Sequence, residues 1–456
     1  MNESSPFRAA VIGGGPAGFY TAESLIKSHS TAEVDIFDRL PTPYGLVRYG
    51  VAPDHQQIKS IARMLARIGQ HERVRFLGNV EFGRDLQLAD LLSHYHAVVF
   101  ASGAPSDRRL GIPGEDLPGS ISATEFVAWY NGHPDYRQLQ PDLSSETAVV
   151  VGLGNVAIDL TRILAKSVDE LSRTDIADHA LEQLAESRVR EIILIGRRGP
   201  AQTRFTTKEL RELGELDNAD IIVDPAELEL DPYSEMEADS DAMTKRNLEV
   251  MRQFSTRPVT GKPRRVHLRF LRSPVELRGS GRLEEAVLER NELSGAPGLG
   301  LSATGTGELE TLSTGLLLRS VGYRGTALPG VPFDPAASVI PNERGAVLAE
   351  PHGEPVPGLY TVGWIKRGPS GVIGSNRADA METVQRLLED TPRTLSGPVT
   401  RDAILQLLRS RNVRAVDFSD WEQLDRLELE RGQQQGRPRV KLVDVEAMLE
   451  ALKQPA

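Results

Sequence analysis

Two glycine-rich turns, each wedged between an apolar strand pattern and a helical one, restrict this chain more than any other feature. Gly13-Gly14-Gly15-Pro16-Ala17-Gly18 follows Ala9-Ala10-Val11-Ile12 and precedes an apolar helical pattern through Tyr20, Ala22 and Leu25. Gly152-Leu153-Gly154-Asn155-Val156-Ala157 follows Ala148-Val149-Val150-Val151 and precedes a pattern through Ile158, Leu160 and Ile163. In a strand, tight turn and helix, the free N–H groups at the helix N-terminus face a space that only glycine leaves clear. A dinucleotide pyrophosphate fits there.

The two turns differ in the chemistry downstream of each. Asp38 ends the next strand, Val34-Asp35-Ile36-Phe37, where a carboxylate accepts hydrogen bonds from an adenosine ribose. That predicts an unphosphorylated ribose, as in FAD or NAD. After the second turn the strand Ile192-Ile193-Leu194-Ile195 runs into Gly196-Arg197-Arg198-Gly199, with no carboxylate at the ribose position. Paired guanidiniums offer forked, permanently charged donors to a 2′-phosphate, which points to NADPH. Ala157 replaces the third glycine there, and the acceptor strand comes about forty residues on instead of roughly twenty. The extra length reads as a helical insertion from Val168 to Leu184, N-capped by Ser172, with Leu171, Ile176 and Ala180 on its apolar face.

Composition narrows the chemistry. At 456 residues the chain predicts two to three domains, and its net charge of -11 argues against a general nucleic-acid binder. No run of eighteen apolar residues offers a membrane helix. Met1-Asn2-Glu3-Ser4-Ser5-Pro6 lacks the basic and apolar regions of a secretory signal, so a cytoplasmic location is expected. The complete lack of cysteine removes disulfides, a thiol nucleophile, thiolate zinc sites, cysteine-ligated clusters and a dithiol relay. Electrons on a flavin must then leave directly, to a partner protein or a small acceptor. His94 and His96, at the entrance to the strand Ala97-Val98-Val99-Phe100, read as surface histidines, and no metal is expected.

Along the chain, strands at Val74–Leu77 and Ala97–Ala101 extend the first unit to about Ala104. Strands at Ile221–Val223, Val266–Leu271, Leu283–Leu288 and Leu316–Val321 belong to the second. The acidic stretch Leu230–Asp241 reads as a solvated loop and Gly295–Gly307 as a turn region. A returning strand, Gly358–Trp364, and a helix through Ala378, Met381 and Val384 complete the first unit. The expected architecture is α/β with two Rossmann-like dinucleotide-binding domains: a discontinuous FAD domain (1–104 and 331–397), an inserted NADP domain (105–330), and a C-terminal helical extension (398–456).

Four longer motifs go beyond this pattern: the run from Pro41 to His55 (PTPYGLVRYGVAPDH), Gly154-Asn155-Val156-Ala157, Gly196-Arg197-Arg198-Gly199-Pro200, and the run from Gly363 to Gly374 (GWIKRGPSGVIG). In this order they resemble the adrenodoxin-reductase type of ferredoxin–NADP reductase over roughly residues 7 to 390. The resemblance implies that Gly13, Gly15, Ala17 and Gly18 face the FAD pyrophosphate and Asp38 its ribose. Leu46 and Phe82 would line the flavin site, Phe82 through its backbone. Trp364, Gly371, Val372 and Ile373 would contact the isoalloxazine or ribityl arm. Gly154, Asn155, Val156 and Ala157 would take the NADP pyrophosphate, Arg197 and Arg198 the 2′-phosphate, and Glu209 an adenosine-side hydroxyl. His55 and Glu212 would lie by the nicotinamide and flavin rings as the catalytic candidates, although hydride transfer needs alignment and no proton relay.

The activity implied is hydride transfer between NADPH and FAD followed by single-electron transfer to a ferredoxin. Ferredoxins are usually acidic, so docking calls for a basic face, and Lys245, Arg246, Arg252, Arg264 and Arg265 belong to the densest basic cluster. The competing readings are an NADPH-dependent flavin monooxygenase, for which no substrate domain is evident, and the reductase subunit of a larger redox complex, whose cysteine-rich cluster domain is missing.

Overall fold

A computed structural model describes residues 6–296, 300–390, 395 and 400–453. The chain divides into two compact units, one formed by Met1–Ser106 with Gly322–Ala456, the other by Asp107–Val321. The expected boundary at 397/398 lies outside the described residues.

In the first unit, β1 (Arg8–Ile12), β2 (Glu33–Phe37), β3 (Val74–Leu77) and β4 (Ala97–Phe100) are parallel, in the order β4-β1-β2-β3. The register sets Val11 opposite both Ile36 and Val99. Ala9, Ala10, Val11 and Ile12 are all buried, which is why β1 is continuously apolar instead of alternating: both faces of a parallel sheet are covered. One face is covered by α1 (Pro16–Ser28).

The second unit contributes β5 (Ser120–Ser122), β6 (Thr147–Val151), β7 (Glu191–Ile195), β8 (Ala219–Val223), β9 (Arg264–Arg269) and β13 (Leu316–Arg319) to a parallel sheet ordered β5-β13-β6-β7-β9-β8. After the second glycine turn, α2 (Asn155–Ala165) packs on this sheet, burying Ile158, Leu160 and Ile163. Between β9 and β13 an antiparallel ribbon forms from β10 (Arg272–Arg278), β11 (Glu285–Ala296) and β12 (Gly300–Ser313). The stretch expected as a turn region thus contributes to two long strands: Gly295 and Gly305 sit inside the ladder, and Gly307, at φ +82°, lies where its register shifts.

Three further expectations are corrected. The insertion after α2 is two helices, Val168–Leu171 and Asp178–Ala185; Ser167, not Ser172, caps the first through a reciprocal bond with Glu170, and Ser172 closes it. The acidic stretch is helix α4 (Pro232–Ser240), N-capped by Asp231 and followed by α5 (Ala242–Thr256), N-capped by Asp241; α3 (Thr207–Leu213) precedes both. The two aspartates capture free N–H groups at each helix start, which the composition of the stretch conceals. The histidines read as surface residues at a strand entrance are half-buried: His94 ends the helix Leu88–His94 and bonds Asp90 O, while the His96 ring accepts the Arg8 N–H at 3.0 Å.

The chain then returns to the first unit. β14 (Asn342–Glu343), β15 (Ala346–Leu348) and β16 (Pro355–Thr361) join beside β4, with β16 parallel to it. α6 (Ser375–Glu389) lies against α1. The C-terminal segment is helical, as expected, and packs into the first unit's core: α7 (Ala403–Ser410) buries Ile404 and Leu408 with Leu86, Tyr95 and Phe100, and α8 (Phe418–Gln434) buries Trp421 and Leu424 with Phe19, Tyr44 and Phe76. No helix among the described residues is long and apolar enough to cross a membrane.

Candidate dinucleotide-binding sites

The first turn is shaped by two glycines with different surroundings. Gly13 has φ +121°, and a Cβ there would lie 2.4 Å from Ala101 O, so the turn runs directly over the end of β4. At Gly15 an added Cβ would meet nothing within 4 Å. That open space lies at the N-terminus of α1. Gly18 lets the helix approach the turn, since its Cβ would sit 2.1 Å from Gly13 O, and Ala17 is buried beside it.

Asp38 holds the turn from the neighbouring strand. Its Oδ2 accepts Gly14 N–H at 2.7 Å and its Oδ1 accepts Leu40 N–H at 2.9 Å, leaving one acceptor direction on each oxygen. Burial raises its pKa above the ordinary aspartate range, against the lowering effect of those two amides.

The two long motifs converge on this turn. Tyr44 N–H donates to Gly14 O at 2.7 Å, and a Cβ on Gly45 would be 3.2 Å from Gly15 Cα. Leu46 begins the helical turn Leu46–Tyr49 with 40% of its surface exposed. From the other side, a Cβ on Gly363 would lie 2.8 Å from the Ala17 side chain. Trp364 does not end a strand as expected; β16 stops at Thr361 and Trp364 opens a helical turn to Arg367, with Gly363 at φ +79°. Its indole N–H donates to Ser370 O at 3.2 Å and its ring meets Tyr323 at 5.2 Å.

Gly371 and Val372 are exposed, Val372 at 67%, while Ile373 packs inward. Phe82 turns its ring edge-on to Phe100 at 5.6 Å, which leaves its backbone as the polar part. His55 is half-buried, at the start of the helical turn Gln56–Lys59.

In the second unit the same geometry recurs. Gly152 has φ +133° and a Cβ there would be 2.2 Å from Ser320 O, whereas Gly154 has nothing within 4 Å. Ala157 is fully buried, so its methyl fills space that a third glycine would leave. Val156 is half-buried on the first turn of α2. Asn155 Oδ1 accepts Thr206 N–H at 2.8 Å and Arg204 N–H donates to Leu153 O at 2.8 Å, tying the loop after β7 to the turn.

Three guanidiniums belong to this loop region. Burial lowers the pKa of Arg198, and the positive charges of Arg204 and Arg197 lower it further. Clustered like charges, offset here in part by Glu237, favour an anion beside them. Glu209 and Glu212 on α3 face the buried Arg162, whose Nη1 lies 3.1 Å from Glu209, 3.4 Å from Glu212 and 2.9 Å from Asp159. Glu209 is itself buried, and Glu212 also lies 3.9 Å from Lys208 Nζ.

Residues 7–195 match the family described as pyridine nucleotide-disulphide oxidoreductase. The NADPH-ferredoxin reductase FprA of Mycobacterium tuberculosis strain H37Rv is 45% identical over 97% of this chain and 98% of its own. The mitochondrial NADPH:adrenodoxin oxidoreductase of Arabidopsis thaliana is 44% identical over 98% of this chain and 96% of that protein. This chain belongs to the adrenodoxin-reductase type of ferredoxin–NADP reductases. The solved structure of M. tuberculosis FprA in complex with NADPH superposes with a TM-score of 0.93 at 44% identity, over 98% of this chain and 100% of that one.

For a reductase of this type both turns pass a simple test of fit. Each has a glycine beside a helix N-terminus at which an added methyl meets empty space, flanked by a glycine whose left-handed φ and close backbone contact fix the turn. Four contributors escaped sequence reading. Tyr44 and Asp379 hold the loops of the first unit, Asp379 by accepting Gly363 N–H at 2.5 Å and pairing with Lys366 and Arg367. Arg162 and Arg204 belong to the second. Arg204 carried a signal as a third arginine shortly after Arg197-Arg198, and Tyr44 stands within the Pro41–His55 run with no role of its own read there.

The basic cluster needs a correction. Arg264 is buried and its guanidinium donates to Leu164 O and Lys166 O, both at 2.6 Å, so it offers no surface charge. The strand register turns it inward while its neighbour Arg265 is exposed and paired with Glu191. Lys245, Arg246 and Arg252 are exposed on α5.

Proposed function

We propose that the chain is a ferredoxin–NADP reductase in which the first unit holds FAD and the second NADPH. The observation that carries this reading is the pair of open glycine turns with opposite ribose partners, Asp38 at one and Arg197 with Arg198 at the other. Near-full-length identity to two reductases of this type supports it. FAD, when bound, supplies the chemistry that accepts a hydride from NADPH and releases electrons singly.

The chain's own residues bind and orient. The N–H groups of α1 with Gly13, Gly15, Ala17 and Gly18 receive one pyrophosphate; those of α2 with Gly154, Asn155, Val156 and Ala157 receive the other. Asp38 accepts from the FAD ribose with the lone pairs that Gly14 and Leu40 leave free. Glu209, steadied by Arg162, accepts from an adenosine-side hydroxyl. Leu46, Phe82, Trp364, Gly371, Val372 and Ile373 form the flavin end of the first unit and keep water from it. His55 and Glu212, each from its own unit, are the candidates that bear on ring alignment.

Ferredoxin docking is assigned to the exposed cations Arg246 and Arg252 of α5 together with Lys245, which also lies 3.8 Å from Asp239, with Arg265 secondary because Glu191 pairs with it. A cytoplasmic location completes the reading.

Anaerobic mixing of the yellow protein with NADPH, and separately NADH, followed by ferredoxin and cytochrome c, tests the function. Rapid bleaching by NADPH with ferredoxin-dependent cytochrome reduction is expected. Bleaching without delivery to any ferredoxin would refute the reductase assignment. For docking, Arg246→Glu with Arg252→Glu is expected to raise the KM for ferredoxin and flatten its salt dependence.

A further inference from the structure

The loop Tyr44–Tyr49 lies on the first glycine turn in a conformation that its own residues do not favour. Tyr44 has φ +82°, a region that non-glycine side chains seldom enter. Gly45 follows at φ +46°, and its backbone approaches Gly15 closely. A strained segment of this kind persists only where its surroundings over-determine it. Here the surroundings come from α8, more than 370 residues later in the chain.

Two residues of α8 take hold of the loop. Trp421 meets the Tyr44 ring edge-on at 5.7 Å. Glu428, fully buried, receives the Arg48 guanidinium as a two-pronged pair, Nη1 to Oε2 at 2.8 Å and Nη2 to Oε1 at 2.5 Å. Glu428 is held in turn by Arg439 at 3.1 Å and by the Leu442 N–H at 2.8 Å. Lys441 Nζ donates to the Arg48 carbonyl at 3.2 Å. Arg48 also lies over the Trp421 ring, 5.2 Å from its centroid.

A buried ion pair of this kind adds little net stability over apolar packing of the same shape, but a forked pair permits one geometry. We propose that Glu428 and Trp421 are positioning residues for the flavin site. The C-terminal segment clamps the Tyr44–Tyr49 loop in the arrangement that leaves the Gly15 space open and presents Leu46. This rests on the reading that the first unit holds FAD.

The test compares the full-length chain with Glu428→Gln, Trp421→Phe and, as a packing control in the other core, Leu408→Ala. The readouts are the FAD dissociation constant from flavin fluorescence, the visible flavin absorption band, and the Tm of the apoprotein. Glu428→Gln is expected to weaken FAD about tenfold, the effect of a loop that spends roughly one-tenth of its time in the binding arrangement. Trp421→Phe is expected to act in the same direction by a smaller factor. Leu408→Ala is expected to lower the apoprotein Tm with no change in FAD affinity or spectrum.

FAD constants and spectra for Glu428→Gln and Trp421→Phe that match Leu408→Ala would overturn the clamp. Should Glu428→Gln fail to fold, Trp421→Phe, which keeps a ring against Tyr44, decides alone. An unmodified chain that binds no FAD would overturn the cofactor reading, and the clamp with it, before any variant is made.

Discussion

A methyl group on Gly13 would press on the Ala101 carbonyl, while one on Gly15 would enter empty space. The two substitutions therefore separate folding from binding. Gly13→Ala is expected to destabilise the apoprotein by at least about 1–3 kcal/mol from backbone strain alone, read as a lowered denaturation midpoint. Gly15→Ala is expected to leave that midpoint unchanged and, if the proposed FAD site is right, to abolish FAD retention, because the methyl would enter the space proposed for the pyrophosphate. At the second turn, Arg197→Ala with Arg198→Ala removes charge-assisted bonds worth about 1.5–3 kcal/mol each. The KM for NADPH should rise by at least about 100-fold while that for NADH stays nearly constant. Equal effects on both nucleotides would refute the 2′-phosphate assignment.

At the scale of elements, the junction of α8 with the Tyr44–Tyr49 loop makes acid stability measurable. Burial pushes the Glu428 carboxyl upward, but Arg48 and Arg439 outweigh it and hold the pKa below the ordinary 4.5. A group whose folded pKa is lowered stabilises fully above its unfolded value and loses that contribution as pH falls through the folded one. Tm measured from pH 7 downward should therefore drop below about pH 4.5 more steeply in the unmodified chain than in Glu428→Gln.

The elements also show where the chain's own pattern is legible. Strands such as Val34–Phe37 and Val149–Val151 announce themselves because both sheet faces are covered, so apolar residues run together. The acidic helix α4 does not, since Asp231 and Glu235 look like loop residues until the N-cap is seen. Nor does the ribbon β11–β12, where glycines usually marking turns sit within a ladder whose partners lie nearby. The site divides along the same line. Gly15, Asp38 and Arg197 are fixed by spacing from a strand, whereas Tyr44, Asp379 and Arg162 act through contacts that only the folded backbone creates.

At the scale of the molecule, two compact units with separate glycine turns should respond separately to ligands. In hydrogen exchange, NADP+ is expected to protect amides of residues 152–157 and 196–206, and FAD those of residues 13–18 and 44–50. Each ligand at about 100 times its dissociation constant contributes about 2.7 kcal/mol to its own unit. NADP+ protection confined to residues 13–18 would reverse the assignment of the units.

The first unit is assembled from both ends of the chain, with Ile404, Leu408, Trp421 and Leu424 in its cores. A ribosome delivers these residues last. The second unit, a single stretch, is complete while β1–β4 still wait for β16, α7 and α8 to emerge, an interval on the order of half a minute at ~10 residues per second. Through that interval the nascent sheet has α1 on one face but lacks the cover that α7 and α8 supply. Premature termination anywhere after the second unit would thus release a chain whose second unit is finished and whose first is a substrate for chaperones and proteases.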